Sequence, residues 1–562
     1  MGDALIGAID QGTSSSRFLV FAAKNAELIT FHQIPIHKKT PKEDWVEFDP
    51  EELLHTVVEC MEKTMYHLQE MGYDPANVKS VGISNQRETT IVWDKYTGKP
   101  LYNAIVWCDN RTVSTVDALL AKVPGKDINC LKGYCGLPVA PYFSAVKLSW
   151  LLQNVPEVRK AVDEERCLFG TVDTWLLWNL TGGRNGGLHL TDVTNASRTA
   201  LMNIETLEWD PYLLRFFGVP KSILPEIRSS SEIYGYITLS HRLKGVPISS
   251  MLGDQQAALL GQMCVKRGQA KCTYGTGCFL LCNSGNKPIF SDKGLITTIG
   301  YQLGKTKRPV YAIEGSVAVA GSSIRWLEKN MGIIKSEHEI ESLAASVADS
   351  GGVYFVPAFS GLYAPHWRTD ARGTICGLTH YSTSAHIARA TLEAVCYQTR
   401  DVLLAINSDF GQEPTSLQVD GGMAANNLLL QIQADILGIP VVRPAMCETS
   451  ALGAAMAAGL AEGINVWQLD LENSASLVTE TFQPSILEED RARRYNKWHE
   501  AIKRSLGWVP SIDTPVSKPG KPHIGYPTLA GKKKDHTDIS YLPYKPPNEG
   551  FQKNYNLINH LS

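Results

Sequence analysis

Near its beginning the chain reads Gly7-Ala8-Ile9-Asp10-Gln11-Gly12-Thr13-Ser14-Ser15-Ser16-Arg17, an apolar run followed by an acid, a glycine, four hydroxyl side chains and an arginine. Leu5 to Ile9 predicts a short buried strand, and Phe18 to Phe21 predicts a second strand after the polar turn. Such a turn offers N–H and hydroxyl donors to phosphate oxygens, a carboxylate to a metal ion and a cation to phosphate charge. Taken alone, an ordinary polar hairpin turn is an equal alternative.

A similar arrangement returns in the second half of the chain. The segment Lys271-Cys272-Thr273-Tyr274-Gly275-Thr276-Gly277-Cys278-Phe279-Leu280 is again a strand, a Gly-Thr-Gly turn and a strand. Short apolar strands alternate with helical segments throughout, which is typical of an α/β protein. Two phosphate-turn candidates in two halves of one chain predict a duplicated fold that binds a nucleotide.

The length of 562 residues is too great for one hydrophobic core, and it predicts two domains with additional segments. We expect a first domain over residues 1–260, a second over 261–508, and a Pro- and Lys-rich, disordered tail over 509–562. The net charge of −3 argues against nucleic acid as the main partner.

Cysteine usage and the absence of targeting signals predict a cellular location. The twelve cysteines are scattered and include no Cys-x-x-Cys, so neither a disulfide framework nor a cysteine metal site is expected. We find no signal peptide and no apolar run near the roughly 18 residues of a membrane span. The sequence therefore predicts a cytoplasmic protein with free thiols and no transmembrane segment.

Three segments give the clearest helix patterns. Ala385 to Asn407 carries one continuous apolar face, and Asn426 to Leu437 ends at Gly438. Thr449 to Leu460 consists mainly of small residues. Such a helix lets another backbone or a flat ligand come close, and tight helix packing is the simpler interpretation.

Several polar segments carry candidate chemistry. Arg87 and Glu88, adjacent in a predicted strand-to-strand loop, present donors and an acceptor side by side, which suits a polyol; the alternative is a surface ion pair. Trp107 and Tyr142 are candidates to contact a ligand's carbon chain and hydroxyls, and core packing is the alternative for both. Asp254 follows Gly253 at a strand-to-helix turn, where it either caps the helix or accepts a proton from an attacking hydroxyl.

Together these segments resemble the eukaryotic-type glycerol kinase branch of the FGGY family of carbohydrate kinases. The resemblance runs in order from Leu5 to Trp508. Tyr142 to Asn154 resembles one family signature, and Gly373 to Glu393 resembles the other. The glycerol-specific pattern is carried by Asn85–Thr90, Asn103–Trp107, Gly170–Trp175, Thr194–Arg198 and Gly253–Gln256.

The resemblance implies two ribonuclease-H-like domains, as in actin and hexokinase, with the active site in the cleft between them. It implies ATP-dependent phosphorylation of glycerol to sn-glycerol 3-phosphate, the first step of glycerol breakdown and a source of glycerolipid precursor. ATP and Mg²⁺ are the implied cofactors, and relatives form homodimers or homotetramers.

The resemblance also implies roles for individual residues. Asp254 would be catalytic, and Asp10 would lie near the magnesium ion. Glycerol would contact Arg87, Glu88, Trp107, Tyr142, Asp254, Gln255 and Phe279. ATP would contact Thr13, Ser14, Ser15, Arg17, Thr276, Gly321, Arg325, Gly422 and Asn426.

The chain departs from the family pattern in two places. Bacterial relatives often carry Gln where Arg325 stands, and the segment Leu239–Val246 lacks the double glycines of a loop that senses fructose 1,6-bisphosphate in some bacterial enzymes. Two other functions stay open: a sister kinase acting on another small polyol or sugar, and a catalytically silent metabolite sensor or scaffold.

Overall fold

The computed structural model describes residues 3–411, 414–467 and 479–509. The chain divides into a compact unit, Met1–Pro510, and a second stretch, Ser511–Ser562. The predicted disordered tail over 509–562 therefore lies, apart from Val509, outside the described residues.

Strands and helices alternate along the described part of the chain, as the sequence predicts. The strands are β1 Leu5–Gln11, β2 Ser15–Ala22, β3 Leu28–Pro35, β4 Glu47–Phe48, β5 Val78–Asn85, β6 Ile91–Asp94, β7 Ala104–Ile105, β8 Cys167–Gly170, β9 Leu190–Asp192, β10 Glu226–Arg228, β11 Ser231–Tyr236, β12 Pro247–Gly253, β13 Ala270–Tyr274, β14 Cys278–Gly285, β15 Ile296–Tyr301, β16 Val310–Val317, β17 Tyr354–Val356, β18 Thr374–Cys376, β19 Leu417–Asp420, β20 Val441–Pro444 and β21 Thr479–Phe482. The α-helices are α1 Pro50–Glu70, α2 Val113–Leu120, α3 Lys132–Cys135, α4 Ser144–Asn154, α5 Pro156–Asp163, α6 Val172–Leu180, α7 Val193–Ala196, α8 Pro211–Phe217, α9 Asp254–Gly261, α10 Gly321–Lys329, α11 Glu339–Ala345, α12 Ser384–Phe410, α13 Asn427–Leu437, α14 Thr449–Leu460 and α15 Glu488–Ser505.

Two large mixed sheets share one topology within the described residues. The first has the order β11-β12-β5-β1-β2-β3, and the second has the order β15-β16-β14-β13-β19-β20-β21. In each, a first strand pairs antiparallel with the next strand and parallel with a later one: β1 with β2 and β5, and β13 with β14 and β19. The predicted duplicated α/β fold is confirmed.

The parallel strands bring the candidate residues to one edge of each sheet. Gln11 and Gly253 both pair with Asn85, so β1, β5 and β12 end side by side. In the second sheet Thr273 pairs with Asp420, so β13 and β19 also end together. Ligands of α/β sheets bind beyond such carboxyl ends, and the predicted polar turns lie there.

The small-residue helix α14 packs tightly on α9 and the first sheet. A Cβ atom at Gly453 would lie 1.8 Å from the carbonyl oxygen of Ala257, and one at Gly82 would lie 2.4 Å from that of Ala454. The hydroxyl of Ser250 donates to the Ala454 oxygen at 2.7 Å. What approaches this helix closely is therefore protein backbone.

The predicted helix ends agree with the structure to within three residues. α14 has the predicted bounds, and α12 extends the predicted helix to Ser384–Phe410. Asn426 caps α13 by accepting from the Leu429 amide, and Gly438 ends that helix in the left-handed conformation at φ 80°. Gly at this position and Asn at the cap are the residues that such ends favour.

Candidate active site

The structure brings the predicted substrate-binding side chains together. The Trp107 ring lies 5.7 Å from that of Tyr142 and 5.8 Å from that of Phe279, both edge-on. The Arg87 guanidinium lies 5.6 Å from the centre of the Phe279 ring, and its Nε is 3.5 Å from Oδ1 of Asp254. Three aromatic faces beside a guanidinium and a carboxylate can contact both the carbons and the hydroxyls of a small polyol.

Arg87 and Glu88 have different ion-pair partners, and neither forms a surface ion pair. Arg87 donates to both carboxylate oxygens of Glu314, at 2.6 and 2.9 Å. Glu88 accepts from Nε of Arg198 at 2.5 Å. Both members of each pair are buried. The alternative of a surface ion pair between the two neighbours is therefore not what the structure shows, and Glu88 adopts the left-handed conformation with a φ of 57°.

Arg198 also contacts Glu314, so the four charges form one buried network. Its two terminal nitrogens lie 3.3 Å from the Glu314 oxygens. Burial alone would raise the pKa of Glu314, but Arg198 and Arg87 together lower it to about 2. Glu88 forms a hydrogen-bonded ion pair with Arg198 and not with Arg87. Burial raises the pKa of Glu88, and the two guanidinium groups oppose that rise. The network holds two positive and two negative groups.

Asp254 is the first residue of α9, and Gly253 is the cap residue. Its Oδ1 accepts from the amide of Gln255 at 2.8 Å, and its side chain is 25% exposed. Burial raises the pKa of Asp254, while Arg87 and Lys271 oppose that rise. A carboxylate with a raised pKa that still contacts solvent is suited to accept a proton near neutral pH.

The first phosphate turn connects β1 and β2, and it contains fewer hydroxyls than expected. β2 begins at Ser15, so Ser15 and Ser16 are buried strand residues, and Ser16 Oγ lies 2.8 Å from Thr56 Oγ1 in the core. Thr13 Oγ1 accepts from the Trp107 indole at 2.9 Å. Ser14 is exposed at the tip. Thr13 and Ser14 are thus the hydroxyl donors of this turn.

Arg17 and Asp10 face one another across the hairpin. They are register partners, with Arg17 Nη1 3.8 Å from Asp10 Oδ2, and Arg17 also pairs with Glu448. Burial, with help from the carboxylates of Glu448 and Asp254, raises the pKa of Asp10 to about 6 against the effect of Arg17. An additional positive charge beside Asp10 would stabilise its ionised carboxylate and lower this pKa.

The residues around Asp10 fit a magnesium ion that arrives with a nucleotide. Over residues 3–411, 414–467 and 479–509, no group of three or more His, Cys, Asp or Glu can hold a metal ion unaided. Magnesium needs no such group when it is bound by one or two carboxylates, waters and phosphate oxygens. Asp10, whose pKa burial and the nearby carboxylates of Glu448 and Asp254 raise, would supply the carboxylate for that arrangement.

The second phosphate turn is held against the start of α10. The Gly321 amide donates to the Gly275 oxygen at 2.9 Å, and the Ala320 amide donates to the Thr276 oxygen at 3.0 Å. The Thr276 side chain is exposed. A Cβ atom at Gly321 would lie 2.7 Å from the Gly275 oxygen and 3.4 Å from the Met423 sulfur, so this turn adjoins the loop after β19.

That loop carries Gly422 and Asn426. The preceding Gly421 has a φ of 86° and lies against the backbone of Tyr274, where a Cβ atom would be 2.4 Å from its oxygen. A Cβ atom at Gly422 would meet nothing within 4 Å. Asn426 uses its side-chain oxygen as a helix cap, at 2.8 Å from the Leu429 amide, which leaves the –NH₂ side for a ligand.

Two further features of the sequence have contacts with acidic residues. Arg325 is exposed on α10, where its Nε donates to Glu337 at 2.9 Å. The segment Leu239–Val246 is anchored by Glu62 of α1, which accepts from the Ser240 hydroxyl at 2.7 Å and from Arg242 at 3.1 Å.

Four buried charged residues of the site are absent from the sequence-based prediction: Arg198, Lys271, Glu314 and Lys147. Lys147 donates to the carbonyl oxygens of Pro141 and Tyr142 at 2.7 and 2.6 Å, and burial lowers its pKa to about 8. Glu314 and Lys271 are each the only charged residue of a buried strand. A lone charge in a buried strand is a signal of a buried partner, and it is visible in the sequence.

No helix in the described part of the chain is long and apolar enough to cross a membrane. The twelve cysteines are all free thiols.

Known proteins resemble this chain over most of its length. A probable glycerol kinase of Dictyostelium discoideum is 50% identical over 540 residues, covering 90% of this chain and 98% of the relative. A glycerol kinase of Clavibacter michiganensis is 50% identical over 511 residues, covering 91% and 99%. The crystal structure of Plasmodium falciparum glycerol kinase with ADP matches with a TM-score of 0.80 at 37% identity, covering 90% of this chain and 98% of that one.

The family assignment agrees with the fold and with the geometry of the two turns. Residues 5–261 match the N-terminal domain of the FGGY family of carbohydrate kinases, and residues 270–462 match its C-terminal domain. The chain belongs to the FGGY family of carbohydrate kinases.

Proposed function

We propose that the protein transfers the γ-phosphate of ATP to glycerol and forms sn-glycerol 3-phosphate, the first step of glycerol breakdown and a source of glycerolipid precursor. The observation that carries this proposal is that Arg87 and Asp254, which follow β5 and β12 of the first sheet, lie beside the rings of Trp107, Tyr142 and Phe279. Relatives about 50% identical over nearly the whole chain that are named glycerol kinases support the same activity.

The side chains divide the chemistry among them. Arg87 has five N–H groups, of which two bind Glu314 and one lies 3.3 Å from Gln256. The Nε–H group lies beside Asp254, with Nε 3.5 Å from Oδ1, so one Nη2–H remains for a substrate hydroxyl oxygen. Asp254 accepts the proton of the attacking glycerol hydroxyl, while the oxygen of that hydroxyl bonds to the γ-phosphorus. The bond from that phosphorus to the β–γ bridging oxygen breaks, and ADP leaves with the electron pair.

The two turns would receive the nucleotide. Thr13, Ser14 and the Thr276 turn offer donors to the β- and γ-phosphates, and Gly321, Gly422 and Asn426 adjoin the place for adenosine. Ser15 would contribute through its backbone and Arg17 through its charge, while Arg325 would act only at the rim. A magnesium ion held by Asp10 and the phosphates would supply charge neutralisation.

The test is release of ADP from Mg-ATP with and without glycerol, together with detection of sn-glycerol 3-phosphate. We expect ADP release to depend on glycerol and to be accompanied by formation of sn-glycerol 3-phosphate. Faster turnover on erythritol or a pentulose would instead identify a sister kinase, and a glycerol-induced rise in Tm without turnover would identify a sensor.

We also propose a cellular location, an oligomeric state and a domain boundary for the protein. Free thiols throughout the chain are typical of a reducing compartment, which supports a cytoplasmic location. We expect a homodimer or homotetramer, which light scattering after size-exclusion chromatography measures. The gap between the two family matches supports a domain boundary after residue 260.

A further inference from the structure

Lys271 is a fully buried lysine at the edge of the site. It lies in β13, and its ammonium donates to Oε1 of Gln255 at 2.6 Å and to Oγ1 of Thr273 at 2.8 Å. Burial lowers its pKa, and Asp420 opposes that effect. Burying an ammonium group is unfavourable unless hydrogen-bond acceptors surround it. The partners of Lys271 therefore indicate its role.

The contact determines which way the Gln255 amide points. An ammonium group has three donors and no acceptor, so the oxygen of the amide, and not its nitrogen, must face Lys271. The –NH₂ group is then on the other side. That side faces Asp254, whose pKa the Gln255 side chain lowers.

We infer that Lys271 is a positioning residue that holds the Gln255 amide with its –NH₂ group toward the substrate hydroxyl beside Asp254. The inference rests on the proposed phosphorylation of glycerol and deepens it by assigning the polarity of one hydroxyl subsite. An inverted amide would place its oxygen against the Asp254 carboxylate and against the lone pairs of the hydroxyl, and both contacts are repulsive. A donor fixed here favours a substrate with a hydroxyl oxygen at this position.

A double-mutant cycle tests the inference. Lys271→Met and Gln255→Ala are each expected to raise KM for glycerol about tenfold or more, because each removes an oriented donor. In the Gln255→Ala background, Lys271→Met is expected to change KM less than about twofold, because no amide remains to be oriented. Penalties that multiply would overturn the inference.

Thr273→Val is the matched control, since it removes the other acceptor of the same ammonium. It is expected to leave KM for glycerol within about twofold of wild type, because Gln255 stays bound to Lys271. A tenfold rise in this variant would show that the lysine acts through the strand and would contradict the inference. Should Lys271→Met not fold, as judged by Tm, the same cycle is measured with Lys271→Leu, which also lacks a donor.

Substrate analogues separate orientation from a general structural defect. Inhibition constants of 1,2-propanediol and 1,3-propanediol against glycerol are measured for wild type and Lys271→Met. The affinity of the diol that lacks the hydroxyl bound by Gln255 is expected to be less than about twofold lower in Lys271→Met than in wild type. The affinity of the other diol is expected to be about tenfold lower in the variant. Equal losses would overturn the inference. A wild-type protein without glycerol-dependent ADP release would instead overturn the proposed function.

Discussion

Arg87 and Glu314 form a two-point ion pair although 227 residues separate them in the chain, with Nη1–Oε2 at 2.6 Å and Nη2–Oε1 at 2.9 Å. Arg87 follows β5 of the first sheet, and Glu314 lies in β16 of the second. The pair therefore links the two sheets at the point where a polyol is expected to bind. The guanidinium that we propose to contact substrate is held by a carboxylate of the other half of the fold.

Glu314→Gln is expected to destabilise the protein at pH 7 by about 3–5 kcal/mol, because it leaves Arg87 and Arg198 buried without a full counter-charge. Chemical denaturation measures this difference. Glu337→Gln, which removes the exposed partner of Arg325, is the control and is expected to change stability by less than about 0.5 kcal/mol. Equal stabilities of Glu314→Gln and wild type would show that the network contributes nothing.

The same variant predicts a pH dependence. The pKa of Glu314 is lowered from 4.5 to about 2 in the folded protein, so its stabilisation is present above pH 4.5 and is lost as the pH falls toward 2. The stability difference between wild type and Glu314→Gln should therefore shrink below pH 4.5. A difference that stays constant down to pH 3 would exclude titration of this carboxylate as its source.

Arg87→Ala is expected to raise KM for glycerol about 10- to 100-fold and to leave KM for ATP much less affected. The variant also leaves Glu314 without one of its two guanidinium partners, whereas Glu88 keeps its contact with Arg198. Adding Glu314→Gln to Arg87→Ala should restore part of the lost stability without restoring glycerol affinity. Recovery of glycerol affinity in the double variant would contradict a direct contact between Arg87 and substrate.

Asp254→Asn is expected to lower kcat at least about a hundredfold, because the amide cannot accept the hydroxyl proton. Glycerol should still raise the Tm of this variant, since the aromatic walls and Arg87 are unchanged. Asp163→Asn, at a carboxylate that is 64% exposed in an α5 ion pair, is the matched control with unchanged turnover. Near-normal kcat in Asp254→Asn would remove this residue from the role of base.

Local features of the sequence predicted much of the fold and of the site. The bounds of α14 match the predicted run of small residues, and both glycine-containing turns connect the predicted strands. The partners of Arg87 and Glu88 could not be predicted, because Glu314 and Arg198 come from distant segments that only the tertiary fold brings near. Likewise, no local pattern shows that Ser15 and Ser16 belong to β2, since a strand and a polar turn both accept serine there.

Gly453→Ala tests the contact between α14 and α9. The new Cβ atom would lie 1.8 Å from the Ala257 oxygen, which is backbone and cannot move aside alone. We expect a loss of about 3 kcal/mol or more, the upper end for overpacking. Gly133→Ala in α3 is the control, because a Cβ atom there meets nothing within 4 Å. Equal stability of the two variants would mean that the helices separate without cost.

Gly422→Val tests the proposed place of adenosine without disturbing the protein. A Cβ atom at Gly422 meets no protein atom within 4 Å, so the variant should keep the Tm of wild type. If adenosine packs on this backbone, the branched side chain occupies its space and raises KM for ATP about tenfold or more, while KM for glycerol stays unchanged. Gly422→Ala should give a smaller rise, because one methyl group displaces less of the base. An unchanged KM for ATP in both variants would place the nucleotide elsewhere, whereas a fall in Tm would show that the open space belongs to the fold.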